Sequence, residues 1–247
     1  HAMRVVGEDR RRLLLDLRAP LRERHGAAAL ERVQQGLLIY LGDAPANHPD
    51  PRQRPKFFYV PGLRTQPYFE RELFPWHADL EQHTGTIREE LLGVLADNHG
   101  IEPFLGTNDA QILEQQKALR GERGAPQWNA FFFHRHGEVF EDNARRCPRT
   151  TAVLATLPLV HIREHAPEVL FSVLTPGSHI LPHHGVTNTR LVTHLPLIVP
   201  EDCAIRVGGV DHAWQEGRCV TFDDTFEHEA RHRRDSLRAA MILDSWH

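Results

Sequence analysis

The chain has 247 residues, 40% hydrophobic and 25% charged, with 29 Lys+Arg against 33 Asp+Glu for a net charge of −4. That fits one large folded domain, or a core with a helical extension, and excludes a disordered chain, a collagen-like fibre and a disulfide-knit miniprotein. No global basic field advertises nucleic acid or anionic lipid, and no apolar run reaches the roughly 18–20 residues that span a bilayer. Cys147, Cys203 and Cys219 are odd in number and lack metal or redox spacing, which predicts a reducing, cytoplasmic setting. His1-Ala2-Met3 reads as a remnant ahead of a start methionine, with no secretory signal after it. Lys56 and Lys117 are the only lysines, a bias that codon usage explains, whereas histidine occurs 18 times, so position must decide which of those matter.

In chain order, Leu13, Leu14, Leu17 and Leu21, then Leu30, Val33, Leu37 and Leu41, recur at helical spacing. Asn47 to Pro55 carries three prolines and no periodicity, and reads as a loop. Lys56 to Val60 predicts a short strand closed by Pro61-Gly62. A third helix is predicted from Trp76 to Asp97 and a fourth from Asp109 to Leu119, capped by Thr107-Asn108-Asp109. From Pro126 the texture changes. Trp128 to His134 is a dense aromatic strand, and Glu138 to Leu157 a helical stretch broken by Pro148. Brief strands then recur at Val169–Leu174, His179–Pro182, Arg190–Val199, Cys203–Val207, Arg218–Phe222, Phe226–Ala230 and Leu237–Asp244, separated by Gly- and Pro-bearing turns. Such spacing predicts a mainly β fold with α, a jelly-roll or cupin-like core over residues 126–247 with a helical region over 1–125 packed on it.

Three features of the β-rich half group together: Pro182-His183-His184-Gly185 at a strand end, Phe226-Glu227-His228-Glu229 45 residues later, and Arg238 on the next strand. Two imidazoles from different strands can hold one face of a divalent metal, and a neighbouring strand can set a cation deeper in the same barrel. An Fe(II) oxygenase using 2-oxoglutarate needs that set: two protein nitrogens for iron, and a cation for the far carboxylate of the cosubstrate. The 2-His-1-carboxylate pattern, however, places Asp or Glu two residues after the first His. That position is Gly185. On the residues alone, either no metal binds here or water completes the coordination.

Residues 167–247 resemble the aspartyl/asparaginyl β-hydroxylase family of Fe(II)/2-oxoglutarate oxygenases. The matching text includes Pro176-Gly177-Ser178-His179, Pro182-His183-His184-Gly185-Val186-Thr187-Asn188, Arg190-Leu191, His194-Leu195 and Ile205-Arg206-Val207-Gly208. It continues through Trp214-Gln215-Glu216-Gly217, the specific string Phe222-Asp223-Asp224-Thr225-Phe226-Glu227-His228-Glu229, and Asp244-Ser245-Trp246-His247. The resemblance implies a double-stranded β-helix core and turns the Gly185 anomaly into a family signature. It implies that His183 and His228 are the iron ligands and that Arg238 pairs with the distal carboxylate of 2-oxoglutarate. Ser172 would hydrogen-bond that carboxylate, and His194 would lie beside the keto acid end. Asp223, Asp224, Glu227 and Glu229 gain no ligand role and are expected to orient the imidazoles or cap turns.

On the substrate side the candidates are Arg190, Asn188 and Trp128. The family's peptide-hydroxylating members use an Arg-x-Arg pair, whereas this chain has Arg190 followed by Val192 at the second place. One cation and one apolar wall therefore replace two cations. The expected reaction is O2-dependent hydroxylation of an unactivated C–H bond, at the β-carbon, in an amino acid, a peptidyl residue or an amino-acid-derived intermediate. Neither nucleic acid nor membrane is an expected partner, and oligomeric state stays open. Two rivals are a non-oxidative cupin-type lyase or isomerase and a catalytically silent binding module.

Overall fold

The computed structural model describes residues 2–104, 128–201, 203–231 and 236–247. The helix predicted at 109–119 and its cap lie outside those residues. Four helices precede the sheets: α1 (Ala2–His25), α2 (Glu31–Tyr40), α3 (Trp76–Glu81) and α4 (Thr84–Asp97). The single helix expected over 76–97 is thus two. The Thr84 hydroxyl donates to the Glu81 carbonyl at 2.6 Å, and Thr84-Gly85-Thr86 is a weak helix-forming run, so the ladder restarts there. Pro148 likewise divides α5 (Glu141–Arg146) from α6 (Pro148–Leu154), and it sits at the first position of the second, where its missing N–H does no harm.

The strands are β1 (Glu102–Pro103), β2 (Trp128–Arg135), β3 (Glu138–Val139), β4 (Val169–Leu174), β5 (His179–His183), β6 (Arg190–Ile198), β7 (Ala204–Val207), β8 (Val210–Ala213), β9 (Val220–Phe222), β10 (His228–Arg231) and β11 (Arg238–Trp246). One sheet has the order β1-β2-β4-β11-β6-β9, with β3 also on β2; the other has the order β5-β10-β7-β8. All neighbours are antiparallel. From β4 to β11 the chain passes back and forth between the two sheets, which is the winding of a double-stranded β-helix, or jelly roll.

Strand parity decides what each face meets. Val169, Phe171 and Val173 of β4, Leu195 and Leu197 of β6, and Ala239, Met241 and Leu243 of β11 pack with Leu80, Ile87, Leu91 and Val94 of α3 and α4. The alternate residues of the same strands face the second sheet, where Val192, Ile205, Phe222, Phe226 and Ala230 share a separate core. The large sheet therefore has one face closed by helices and the other turned to the barrel interior.

Residues 53–69 do not form the strand predicted at Lys56–Val60. They run as an extended strap across the loops that follow β5 and β9. Phe58 makes one isolated bridge to Thr187, and Gln53 one to Phe226. Arg54 N–H donates to the Thr225 carbonyl, Lys56 N–H to Gly185, and Phe57 N–H to Val186. The buried Asn188 amide clasps Val60 on both sides, accepting from its N–H at 2.8 Å and donating to its carbonyl at 2.9 Å. A strand ladder is absent because side chains and loop carbonyls take its place. Asn188→Ala would leave two buried backbone groups unpaired, a loss of about 2–4 kcal/mol. Thermal unfolding of that variant should show a midpoint lowered by roughly 5–10 °C; an unchanged midpoint would remove the clasp from this account.

Candidate active site

Between the sheets lies a cavity of about 280 Å³ lined from both of them. His183 ends β5 and His228 begins β10, where the two are register partners. Their ring centroids are 4.0 Å apart, inclined at 51°. The His183 Nδ1 lies 2.8 Å from the Leu181 carbonyl, and the His228 Nδ1 3.0 Å from the Phe226 carbonyl. A carbonyl only accepts, so both Nδ1 atoms carry the proton and both Nε2 atoms keep a lone pair. Burial, reinforced by the neighbouring imidazole, pushes His183 down to about 3; burial pushes His228 down to about 4. Both rings are neutral at physiological pH, the state in which imidazole can ligate a metal.

Deeper in the barrel, Arg238 is 1% exposed, with its guanidinium 3.6 Å over the Trp214 ring. Its Nε and Nη1 are buried without a hydrogen-bond partner, and burial lowers it to about 9. A stacked, desolvated cation with idle donors is built to receive an anion. Ser172 faces the same cavity and accepts from Trp128 Nε1 at 3.0 Å, which leaves its own proton to donate inward. Trp128 in turn stacks on Phe104, with centroids 3.9 Å apart. His194 is 6% exposed and packs its ring against Phe222 and Trp214. Burial, then the Arg238 charge, drives it well below the usual histidine range.

His183, His228, Arg238, Ser172, His194, Arg190 and Trp128 all line this one cavity; Asn188 does not, since its amide is spent on Val60. Arg190 is present but engaged. Its Nη1 donates to Asp244 at 2.9 Å and its Nη2 to Asp224 at 3.0 Å, with all three side chains at least nearly nine-tenths buried. Burial would lower Arg190, but Asp224 and Asp244 outweigh it and hold the charge firmly. Burial raises Asp244 to about 6 and Glu168, also on the cavity wall, to about 7. These partners lie 34 and 54 positions from Arg190, and no local pattern announced them.

Of the two roles expected for the acidic neighbours, backbone carbonyls take the orienting of the imidazoles, and turn capping is what the structure shows at Asp223. Asp223 caps its own turn, accepting from Thr225 N–H and from the Gln53 amide. Glu229 pairs with Arg231 and with His179 at 2.7 Å, and Glu227 is exposed. Asp224 has a further consequence: a Cβ on Gly185 would fall 2.2 Å from its carboxylate. The space a side chain at position 185 would claim is filled from the β9–β10 turn, so glycine is required there. Among the described residues, no cluster of three or more His, Cys, Asp or Glu side chains has metal-holding geometry, and no helix is long and apolar enough to cross a membrane. The donor set is the two-imidazole pair, and it fits a metal whose remaining positions are filled by small ligands.

The fold and site thus define a double-stranded β-helix protein of cupin-like architecture with a cavity carrying paired imidazoles and one idle guanidinium. The chain belongs to the aspartyl/asparaginyl β-hydroxylase family, whose sequence profile matches residues 81–247. It is 31% identical over 232 residues, 91% of its length, to aspartate beta-hydroxylase domain-containing protein 2 of Xenopus tropicalis, and covers 58% of that protein. It is 32% identical over 194 residues to human aspartyl/asparaginyl beta-hydroxylase, spanning 77% of this chain and 24% of that one. It is 33% identical over 185 residues to the ornithine lipid ester-linked acyl 2-hydroxylase of Rhizobium tropici, spanning 74% and 61%. The chain therefore spans less than two thirds of each of these relatives. Among solved structures, a Pseudomonas putida prolyl-4-hydroxylase aligns over 69% of this chain and 98% of its own, at 11% identity and a TM-score of 0.40.

His183, His194 and His228, with His77 (buried, and held at about 4 by burial), enter the fold neutral. Unfolded, each would take a proton below about 6.5, so their contribution is present above that pH and lost as pH falls. Glu168 and Asp244 act oppositely, but are fewer. The unfolding midpoint should fall on going from pH 7 to pH 5, and His77→Gln should shallow that slope; a midpoint that rises on acidification would contradict the neutral-imidazole assignment.

Proposed function

We propose that this chain is an Fe(II)- and 2-oxoglutarate-dependent oxygenase that hydroxylates an unactivated C–H bond. The observation that carries the reading is the Arg238 guanidinium, buried with two idle donors in the cavity that also holds the His183–His228 pair. When bound, iron with 2-oxoglutarate and O2 supplies the oxidising power for oxygen insertion, with succinate and CO2 released. The Nε2 atoms of His183 and His228 would hold the metal. Their Nδ1–H bonds to Leu181 and Phe226 fix both rings and both tautomers beforehand. Arg238 would bind the distal carboxylate of the cosubstrate, with the Ser172 hydroxyl beside it. His194, neutral and wedged between Phe222 and Trp214, would flank the cosubstrate without adding charge. The stacked Trp128 and Phe104 would line the cavity with apolar surface and help to exclude water.

The carbon hydroxylated is a separate matter. One relative's name specifies aspartyl and asparaginyl residues, another's an acyl chain of a lipid. Both names support a hydroxylase, and they divide on substrate.

His183→Ala and His228→Ala should each reduce iron in the purified protein to background, measured by elemental analysis. Arg238→Ala should retain metal but weaken 2-oxoglutarate binding about a hundredfold or more, since a buried carboxylate without its guanidinium loses about 3–5 kcal/mol. Calorimetric titration of 2-oxoglutarate into Mn(II)-loaded protein reads this directly. Undiminished binding to the variant would overturn the cosubstrate assignment. A thermal shift with metal alone and none on adding 2-oxoglutarate would favour a non-oxidative metalloenzyme.

A further inference from the structure

We infer that the group this cavity presents to the metal is an uncharged, aliphatic chain and not a carboxylate, an inference that rests on the cosubstrate role proposed for Arg238. Among the described residues, two cationic side chains line the cavity, Arg190 and Arg238; Lys56 is exposed and outside the lining. Arg238 is taken by the distal carboxylate of 2-oxoglutarate. Arg190 is already shared between Asp224 and Asp244, both buried with it. With Glu168 on the same wall, the substrate side carries more carboxylates than cations. Among the described residues, a substrate carboxylate entering there finds no unpaired cation, while burial strips its water.

The wall that remains is apolar. Val192 stands on β6 two residues from Arg190, on the same face, and lines the cavity beside it. Ile242 on β11, Leu170 on β4 and Ile180 on β5 complete a hydrocarbon surface around the imidazoles. Each methylene placed against it gains about 0.8 kcal/mol in water-to-apolar transfer, a roughly fourfold step in affinity. Val192 is thus the specificity-determining residue of the cavity, and the Arg190–Asp224–Asp244 cluster a positioning unit that is closed to ligands.

The test uses the N-acetyl amides of norleucine and aspartate, which differ only in side chain. Titrated calorimetrically into Arg238→Gln, a variant that removes a buried unpaired charge and needs no metal or cosubstrate for this assay, the norleucine amide should bind and the aspartate amide should bind about a hundredfold more weakly. The same ratio is expected in wild-type protein loaded with Mn(II) and N-oxalylglycine, and Val192→Arg should reverse it. Equal binding of both amides to Arg238→Gln would mean that Arg190 accepts carboxylates, and absence of norleucine binding would mean that the wall does not take an aliphatic chain. Either result overturns the inference. Failure of the wild type to take up Mn(II) and N-oxalylglycine would instead sink the oxygenase reading, leaving the Arg238→Gln comparison to stand on its own.

Discussion

Burying a guanidinium without a carboxylate is unfavourable unless something compensates, and here Trp214 does so only in part. The Arg238 charge lies 3.6 Å over the indole ring, which attracts a cation but leaves Nε and Nη1 idle. A fold that only needed to fill this volume would use an apolar residue. The position instead keeps a cation on the cavity-facing side of β11, whose opposite side is the hydrocarbon of Ala239, Met241 and Leu243. Much else follows from that placement. Strand parity sets Ile242 and Asp244 on the same face as Arg238, and so brings the partner of Arg190 to the cavity wall.

The imidazole pair depends on a different device. Neither ring is oriented by an acidic side chain. Each is locked by the carbonyl two residues before it, so the tautomer is written into the local backbone. That backbone is held by the strap at 53–69, which ties its own N–H groups to the Gly185, Val186 and Thr225 carbonyls and its Val60 to Asn188. The segment between α2 and α3 is therefore part of the site's support.

The strands of the barrel were legible because apolar residues alternate along them and Gly or Pro closes them. β8 was not, since Val210 to Ala213 are all exposed and form a hairpin edge without an apolar face. The strap lacked any period because its hydrogen bonds run to loops and to one side-chain amide 128 positions away. The paired histidines and Arg238 were legible from spacing and from resemblance. The neutralisation of Arg190 was not, because charge pairing across 34 and 54 positions leaves no local trace. Asn188 misled for the same reason: a conspicuous polar residue beside the Pro182-His183-His184-Gly185 motif serves the backbone and not the cavity.

In the proposed function, one iron-bound keto diacid spans the cavity from the imidazole pair to Arg238. A crystal structure of the protein grown without oxygen in Fe(II) and 2-oxoglutarate would test it most directly. Anomalous density for iron is expected beside the Nε2 atoms of His183 and His228, with the distal carboxylate hydrogen-bonded to Arg238 and Arg190 still bridging Asp224 and Asp244. Iron elsewhere, or a carboxylate that displaces those aspartates from Arg190 while Arg238 remains unpaired, would contradict it.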